Sequence, residues 1–261
     1  GSDTITEVKW ANNKRTAPGT ATATLTVNAW SEGSNPDNYT LETTAGTLTV
    51  TASADAPTLT APDVTLLYDD RPHRLTYEVT VPDDCPYTLY YRTSTDDPWQ
   101  ALRKNDRLPE QTEAGDYPVY LRLTSDYYAQ STEMTATLHI LRRPLLLSVV
   151  SETRTGYNGK PVTAGYTVEP ESDTGGLLVF HQLEATLLNA TQTAAGTYIV
   201  TFLESDTYIR HGNKNVTANY DIQYQSGQIV IGSAASRSSA TEKAVVYNGT
   251  AQTFTEPVLL D

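Results

Sequence analysis

The feature that most constrains this chain is that it repeats itself. Tyr68-Asp69-Asp70, Tyr157-Asn158-Gly159 and Tyr247-Asn248-Gly249 open 89 and then 90 positions apart. A second anchor pairs Gln111-Thr112-Glu113-Ala114-Gly115-Asp116-Tyr117 with Gln192-Thr193-Ala194-Ala195-Gly196-Thr197-Tyr198, with a weaker copy at Thr16-Ala17-Pro18-Gly19-Thr20. A third pairs Asn38-Tyr39 with Asn219-Tyr220, each followed seven residues after the tyrosine by a glycine, Gly46 and Gly227. A period of this size means that one structural unit of about 90 residues is copied along the chain.

The unit is made of strands. Between Thr20 and Val27, Ala21, Ala23, Leu25 and Val27 fall on one face and the threonines on the other. Tyr117, Val119, Leu121 and Leu123 alternate in the same way with Pro118, Tyr120, Arg122 and Thr124, and Met134, Ala136, Leu138 and Ile140 repeat the pattern. Period-two alternation marks strands buried on one side. The 17 tyrosines against 3 phenylalanines and 1 methionine suit a pleated, half-exposed surface better than a helical core. Gly176 to Asn189 is the one ambiguous stretch; Leu177, Leu178, Phe180, Leu183 and Leu187 fit a short helix or two strands, and strands are favoured.

Each anchor has a physical reading. Asn-Gly after an aromatic fits a two-residue hairpin turn, because both central positions need positive φ. Gly-x-Tyr followed by x-Val matches the tyrosine corner of immunoglobulin-like sandwiches, with Val119 and Val200 in place of the usual second cysteine. The expected fold is therefore all-β, as tandem immunoglobulin-like β-sandwich modules. Residues 57–143 form one module and 144–232 another, entered through linkers at Asp55-Ala56-Pro57 and Arg142-Arg143-Pro144. Residues 3–55 hold the later strands of a module, or a small β module of their own. Residues 233–261 hold the opening strands of a further one. The two end pieces together make about one module, so strand exchange between neighbouring chains is an open alternative.

The recurring Tyr-Asn-Gly, Ala-Gly-Thr-Tyr and Asn-Tyr-Asp-Ile, with a following Gly-x-Ile-x-Ile, resemble the MBG and YDG-type repeats. The resemblance is best over 144–261, fair over 3–55 and weakest over 57–143, where Asp70 replaces the turn glycine. It implies immunoglobulin-like modules in tandem in a large, adhesin-like bacterial surface protein, hence an extracellular, cell-surface or cell-wall setting. It carries no ligand-binding residue with it.

Composition narrows the partners. A net charge of −13 repels phosphate backbones and anionic surfaces, so nucleic acid is not an expected partner. No run of about 18 apolar residues is present, so no membrane insertion is expected. Gly1-Ser2 reads as a cloning remnant. Cys85 is the sole cysteine, which excludes an intrachain disulfide and a cysteine-rich zinc site.

Catalytic chemistry finds little footing. His73, His139, His181 and His211 are scattered singly, none at metal-ligand spacing to another, and read as surface histidines. No nucleophile elbow, phosphate loop or His-Glu-x-x-His occurs. No catalytic residue, metal or cofactor is expected, and the chain is not expected to be an enzyme. The acidic pairs Asp69-Asp70, Asp83-Asp84 and Asp96-Asp97 offer oxygen ligands for calcium or, more plainly, turn chemistry. The expected role is a structural spacer or adhesion segment in which neighbouring modules of the same protein are the main partners. A competing expectation is a binding module for a glycan or a host or cell-surface protein. Its candidate residues are the aromatics Tyr90, Tyr91, Trp99, Tyr127 and Tyr128.

Overall fold

The structure, a computed structural model, describes residues 3–103, 106–235, 246 and 248–251. It is all-β; among the described residues the only helical pieces are two 3-10 turns, Pro36–Asn38 and Thr217–Asn219. No helix among them is long and apolar enough to cross a membrane. The chain forms two compact units. The first comprises Gly1–Thr65, Pro72–Thr112 and Asp116–His139, the second Leu66–Arg71, Glu113–Gly115 and Ile140–Asp261.

The first unit opens with β1 (Ile5–Ala11), β2 (Gly19–Trp30) and β3 (Gly46–Val50), β2 lying between the other two and antiparallel to both. The alternation in β2 is realised: Ala21, Ala23, Leu25 and Val27 are partly covered and the intervening threonines exposed. There follow β4 (Thr58–Thr60), β5 (Val64–Leu67), β6 (Glu78–Thr80), β7 (Thr88–Arg92), β8 (Gln100–Leu102), β9 (Gly115–Thr124) and β10 (Thr132–Leu141). β4 pairs with β6, and the rest form a sheet in the order β5-β10-β9-β7-β8. Its buried face carries Leu89, Val119, Leu121, Leu123, Ala136 and Leu138. All but Leu89 are apolar positions of the period-two pattern.

The second unit contains β11 (Arg143–Val149), β12 (Glu152–Arg154), β13 (Val162–Thr163), β14 (Tyr166–Val168), β15 (Gln182–Leu188), β16 (Thr191–Gln192), β17 (Gly196–His211), β18 (Lys214–Asn215), β19 (Tyr220–Gln225) and β20 (Gly227–Ile231). Two sheets, β14-β11-β19 and β12-β20-β17-β15, bury Leu145, Leu147, Val200, Phe202, Ile229 and Ile231. This is an immunoglobulin-like β-sandwich, and it carries the tyrosine corner: Tyr198 donates its hydroxyl proton to the carbonyl of Ala194 at 3.3 Å, with Val200 buried two residues on.

The repeat is written in the backbone. Gly19, Gly115 and Gly196 open β2, β9 and β17. The two 3-10 turns stand immediately before Tyr39 and Tyr220, whose amides donate to the carbonyls of Pro36 and Thr217. At the turn-glycine position the backbone is left-handed in every copy, with φ of 61° at Asp70, 73° at Gly159 and 77° at Gly249. Tyr247 and most of 233–261, the expected opening strands, lie outside the described residues.

Close approach explains the glycine of the third anchor in its second copy, Gly227. β11 runs parallel to β19 and β12 parallel to β20, so two neighbouring segments change sheet side by side. A Cβ on Gly227 would lie 2.8 Å from Val149 Cγ1 and 3.0 Å from Ser151 Oγ. At Gly46, its counterpart, nothing described comes within 4 Å. Gly227→Ala is therefore expected to cost about 1–3 kcal/mol through overpacking, and Gly46→Ala less than about 0.5 kcal/mol. Equal losses in thermal denaturation of the two variants would remove the close-approach account.

Two local expectations are corrected. The Tyr157-Asn158-Gly159 turn does not close a hairpin: β12 before it pairs with β20, and β13 after it pairs with β16. The loop crosses between sheets and draws its hydrogen bonds locally. Arg154 donates to Asn158 Oδ1 at 3.0 Å and to the carbonyls of Lys160 and Pro161 at 2.6 and 3.1 Å, while Asn158 Oδ1 also accepts the Lys160 amide at 3.1 Å. Arg142-Arg143-Pro144 is not a linker. Arg143 already belongs to β11 and is buried. The ambiguous stretch is extended: Leu177 bridges Pro170, and β15 spans Gln182–Leu188.

Candidate functional site

In the first unit, register decides what the candidate aromatics do. Tyr90 stands opposite Ala101 and Arg122, Tyr91 opposite Gln100 and Leu121, and Arg92 opposite Tyr120. Paired residues share a face. Tyr90, Arg92, Tyr120 and Arg122 therefore line the outer face, whereas Tyr91 turns with Leu89 toward the core side and donates its hydroxyl to Gln100 Oε1 at 3.0 Å. Trp99 joins the outer group. The Arg92 guanidinium lies 4.5 Å from the Trp99 ring centre and 5.4 Å from that of Tyr120, and Arg122 lies 6.0 Å from Trp99. Arg92 is steadied by the Thr95 carbonyl at 2.7 Å, and Arg122 by Glu133 at 3.3 Å.

Tyr127 and Tyr128 are not part of that group. The Tyr127 carbonyl accepts the Ser53 amide at 2.9 Å, Tyr128 bridges Ser53, and both tyrosines line a cleft of about 560 Å³ with Pro18, Val50 and Cys85. The five aromatics thus divide among three environments. The alternation of β9 sets Tyr120 and Arg122 on the outer face, but nothing in the sequence pairs them with Arg92 and Trp99.

In the second unit the structure gathers three residues that sequence spacing keeps apart. His181 immediately precedes β15 and His211 ends β17; the register Gln182↔Arg210 makes them the next opposed pair. Their rings lie 5.2 Å apart and 29° from parallel. Asp70, at φ 61°, presents Oδ2 to His211 Nδ1 at 2.5 Å and to His181 Nε2 at 3.3 Å. His181 is thus a buried histidine, with a side chain only 1% exposed, not the surface residue its isolation in the sequence suggests.

The remaining polar atoms of the cluster are held from behind. Buried Tyr68 donates to Asp70 Oδ1 at 2.9 Å, and the Tyr220 hydroxyl lies 2.7 Å from His181 Nδ1 while accepting the Leu178 amide at 3.4 Å. Tyr68 and Tyr220 meet edge to face at 5.8 Å. Burial lowers the His181 pKa, against the pull of the Asp70 carboxylate. Burial also opposes ionisation of Asp70, but hydrogen bonds from Tyr68 and His181, with the neighbouring imidazoles, outweigh it and leave its pKa lowered. Burial pushes the Tyr68 phenol far up and that of Tyr220 up to about 12.

A second polar group flanks this one. Lys214 pairs with Glu113, which lowers the Glu113 pKa; Asn219 donates to Glu113, and its Oδ1 accepts the Ala114 amide at 2.8 Å. The other acidic pairs make turns, Asp84 at φ 61° and Asp97 accepting the Thr93 hydroxyl at 3.1 Å. Asp69 accepts the Arg71 amide at 3.0 Å.

No family model matches the chain, and no curated protein matches it. Among solved structures it is similar to the Clostridium thermocellum CbhA fibronectin(III)-like modules, at 10% identity and TM-score 0.24, over 73% of this chain and 100% of that one. It is also similar to the three N-terminal domains of the bacteriophage RB49 highly immunogenic outer capsid protein, at 9% identity and TM-score 0.33, over 88% and 99% of the two chains. A third is the Bacteroides ovatus mixed-linkage glucan utilization locus SGBP-B in complex with a mixed-linkage heptasaccharide, at 12% identity and TM-score 0.22, over 66% and 47%. Likeness at this level carries no correspondence of individual residues.

Proposed function

We propose that the chain is a non-catalytic spacer or adhesion segment of an extracellular bacterial surface protein, built from immunoglobulin-like modules of the MBG and YDG type. On this reading 57–143 and 144–232 are whole modules, 3–55 is a partial or small β module, and 233–261 holds the opening strands of a further one. The observation that supports it most is the recurrence of one backbone plan: the left-handed residue at 70, 159 and 249, and the glycine that opens β2, β9 and β17. A tandem array of such units sets distance and orientation, and each unit is stabilised by its own core and its immediate neighbours. Brief protease treatment of intact source cells tests the setting. Peptides of this chain are expected in the supernatant, and their recovery only after lysis would sink the surface reading.

A binding role is the second reading, favoured by the Arg92–Trp99–Tyr120–Arg122 stack on the outer face of the first unit. Guanidinium groups against an indole hold a flat apolar surface beside fixed donors, the combination that suits a sugar ring or a partner's loop. Glycan-array binding by the chain is expected to fall at least tenfold in Trp99→Ala and to persist in Tyr127→Ala. Binding that survives Trp99→Ala would place the ligand elsewhere.

A further inference from the structure

We propose that Asp70, His181 and His211 bind a divalent transition cation of the zinc class. Each of the three residues offers a ligand atom, and these lie within 4.8 Å of one another, with Asp70 Oδ2 2.5 Å from His211 Nδ1 and 3.3 Å from His181 Nε2. Three ligands of a tetrahedral zinc ion, bonded at about 2.0–2.2 Å, stand roughly 3.3–3.5 Å apart, so side-chain rotations of a few tenths of an ångström to about one ångström suffice. Two imidazole nitrogens and one carboxylate oxygen are a donor set for zinc or a similar late first-row ion, and a poor one for calcium or magnesium.

What separates this cluster from an ordinary histidine–carboxylate hydrogen bond is its backing. Tyr68 occupies Asp70 Oδ1, leaving Oδ2 to the histidines, and Tyr220 lies against His181 Nδ1, leaving Nε2 to the centre. Such outer partners set the orientation and tautomer of metal ligands. With an ion bound, His181 Nδ1–H donates to the Tyr220 oxygen. Asp70 is held at a left-handed φ where its repeat counterparts are glycines, a conformation that residues with a Cβ seldom adopt. That placement is what brings its carboxylate to the histidines. The His211 side chain is 51% exposed, which gives the ion a way in and leaves its remaining positions to water. Of the other charges nearby, Glu171 and Arg71 line the adjoining cleft with Asp69, and Glu171 already accepts the Val179 amide at 2.8 Å. The bound ion ties the segment carrying Asp70 to the ends of β15 and β17 within the second unit.

The test is titration of the full chain with Co2+, a visible reporter of zinc sites, followed by displacement with Zn2+. One equivalent is expected to bind with the d–d bands of a low-coordinate site, and Zn2+ to abolish them, while millimolar Ca2+ and Mg2+ leave them unchanged. His211→Ala, at the exposed corner of the cluster, is expected to weaken binding at least tenfold to a hundredfold. A second readout needs no variant: Co2+ is expected to broaden or shift the ring protons of His181 and His211 ahead of those of His73 and His139. Absence of uptake at micromolar metal, displacement by Ca2+, unchanged affinity in His211→Ala, or perturbation of His73 or His139 first would each overturn the proposal.

Discussion

Arg143→Met is expected to destabilise the second unit by roughly 3 kcal/mol. Arg143 opens β11 with only 4% of its surface exposed, and its guanidinium fans out to backbone carbonyls. Nε donates to Gly176 at 2.8 Å, one terminal nitrogen to Gly175 at 2.8 Å and to Ser172, the other to Tyr68 at 3.3 Å. Methionine fills a similar volume but donates nothing, so these carbonyls lose the guanidinium, while that of Gly175 keeps the Ser172 amide at 2.8 Å. Each such loss costs about 1–3 kcal/mol where water cannot replace it, offset in part because a buried charge is also removed. Arg143→Lys is expected to recover less than half, since one ammonium cannot span the fork. Hydrogen exchange at the Leu145 and Leu147 amides of the same strand measures the change, and a loss below about 1 kcal/mol would show the guanidinium to be dispensable.

This arginine shows where the sequence stops being readable. Beside Pro144 it has the composition of a linker, and its partners lie 29 to 75 residues away in the chain. Strands were legible because alternation is local: β2, β9 and β10 follow the pattern of their side chains. The turn anchor is legible because its left-handed φ recurs at 70, 159 and 249, whereas the close approach at Gly227 has no counterpart at Gly46. At the Tyr157 turn only Gly159 is left-handed, and Asn-Gly marks a local turn without fixing which strands its neighbours pair with. The histidine cluster lay beyond reach for a related reason. His181 and His211 are opposed only through the β15–β17 register, and Asp70 arrives from 111 residues away. One local sign pointed to it: an aspartate at the position where the repeat keeps glycine, a departure that favours function over folding. The aromatic platform was half legible, since an adjacent pair such as Tyr90-Tyr91 must place one ring outward, while the guanidinium partners depended on cross-strand pairing.

Gly176→Ala is expected to be as damaging as the loss of Arg143, and for a connected reason. Gly176 has φ +85°, a region where an alanine costs about 1–2 kcal/mol on backbone grounds. A Cβ there would also overlap the carbonyl oxygen of Pro170 and come within 3.0 Å of the Glu171 amide nitrogen. The overlap is with backbone, so no side chain can rotate away; the loop from Glu169 to Leu177 has to open. That loop is closed by the Leu177 amide on the Glu169 carbonyl at 2.9 Å and the Gly176 amide on the Pro144 carbonyl at 2.8 Å, and opening it carries the Gly175 and Gly176 carbonyls away from Arg143. A total of about 3–4 kcal/mol is expected, against about 1–2 kcal/mol for Gly175→Ala, whose φ is not left-handed and whose Cβ would come 2.8 Å from the Pro144 carbonyl oxygen. Because the two residues act through one set of hydrogen bonds, Arg143→Met combined with Gly176→Ala is expected to fall short of the sum by about 1–2 kcal/mol. Strict additivity in that cycle, read by the same amide exchange, would mean that the loop and the guanidinium stabilise the sandwich independently.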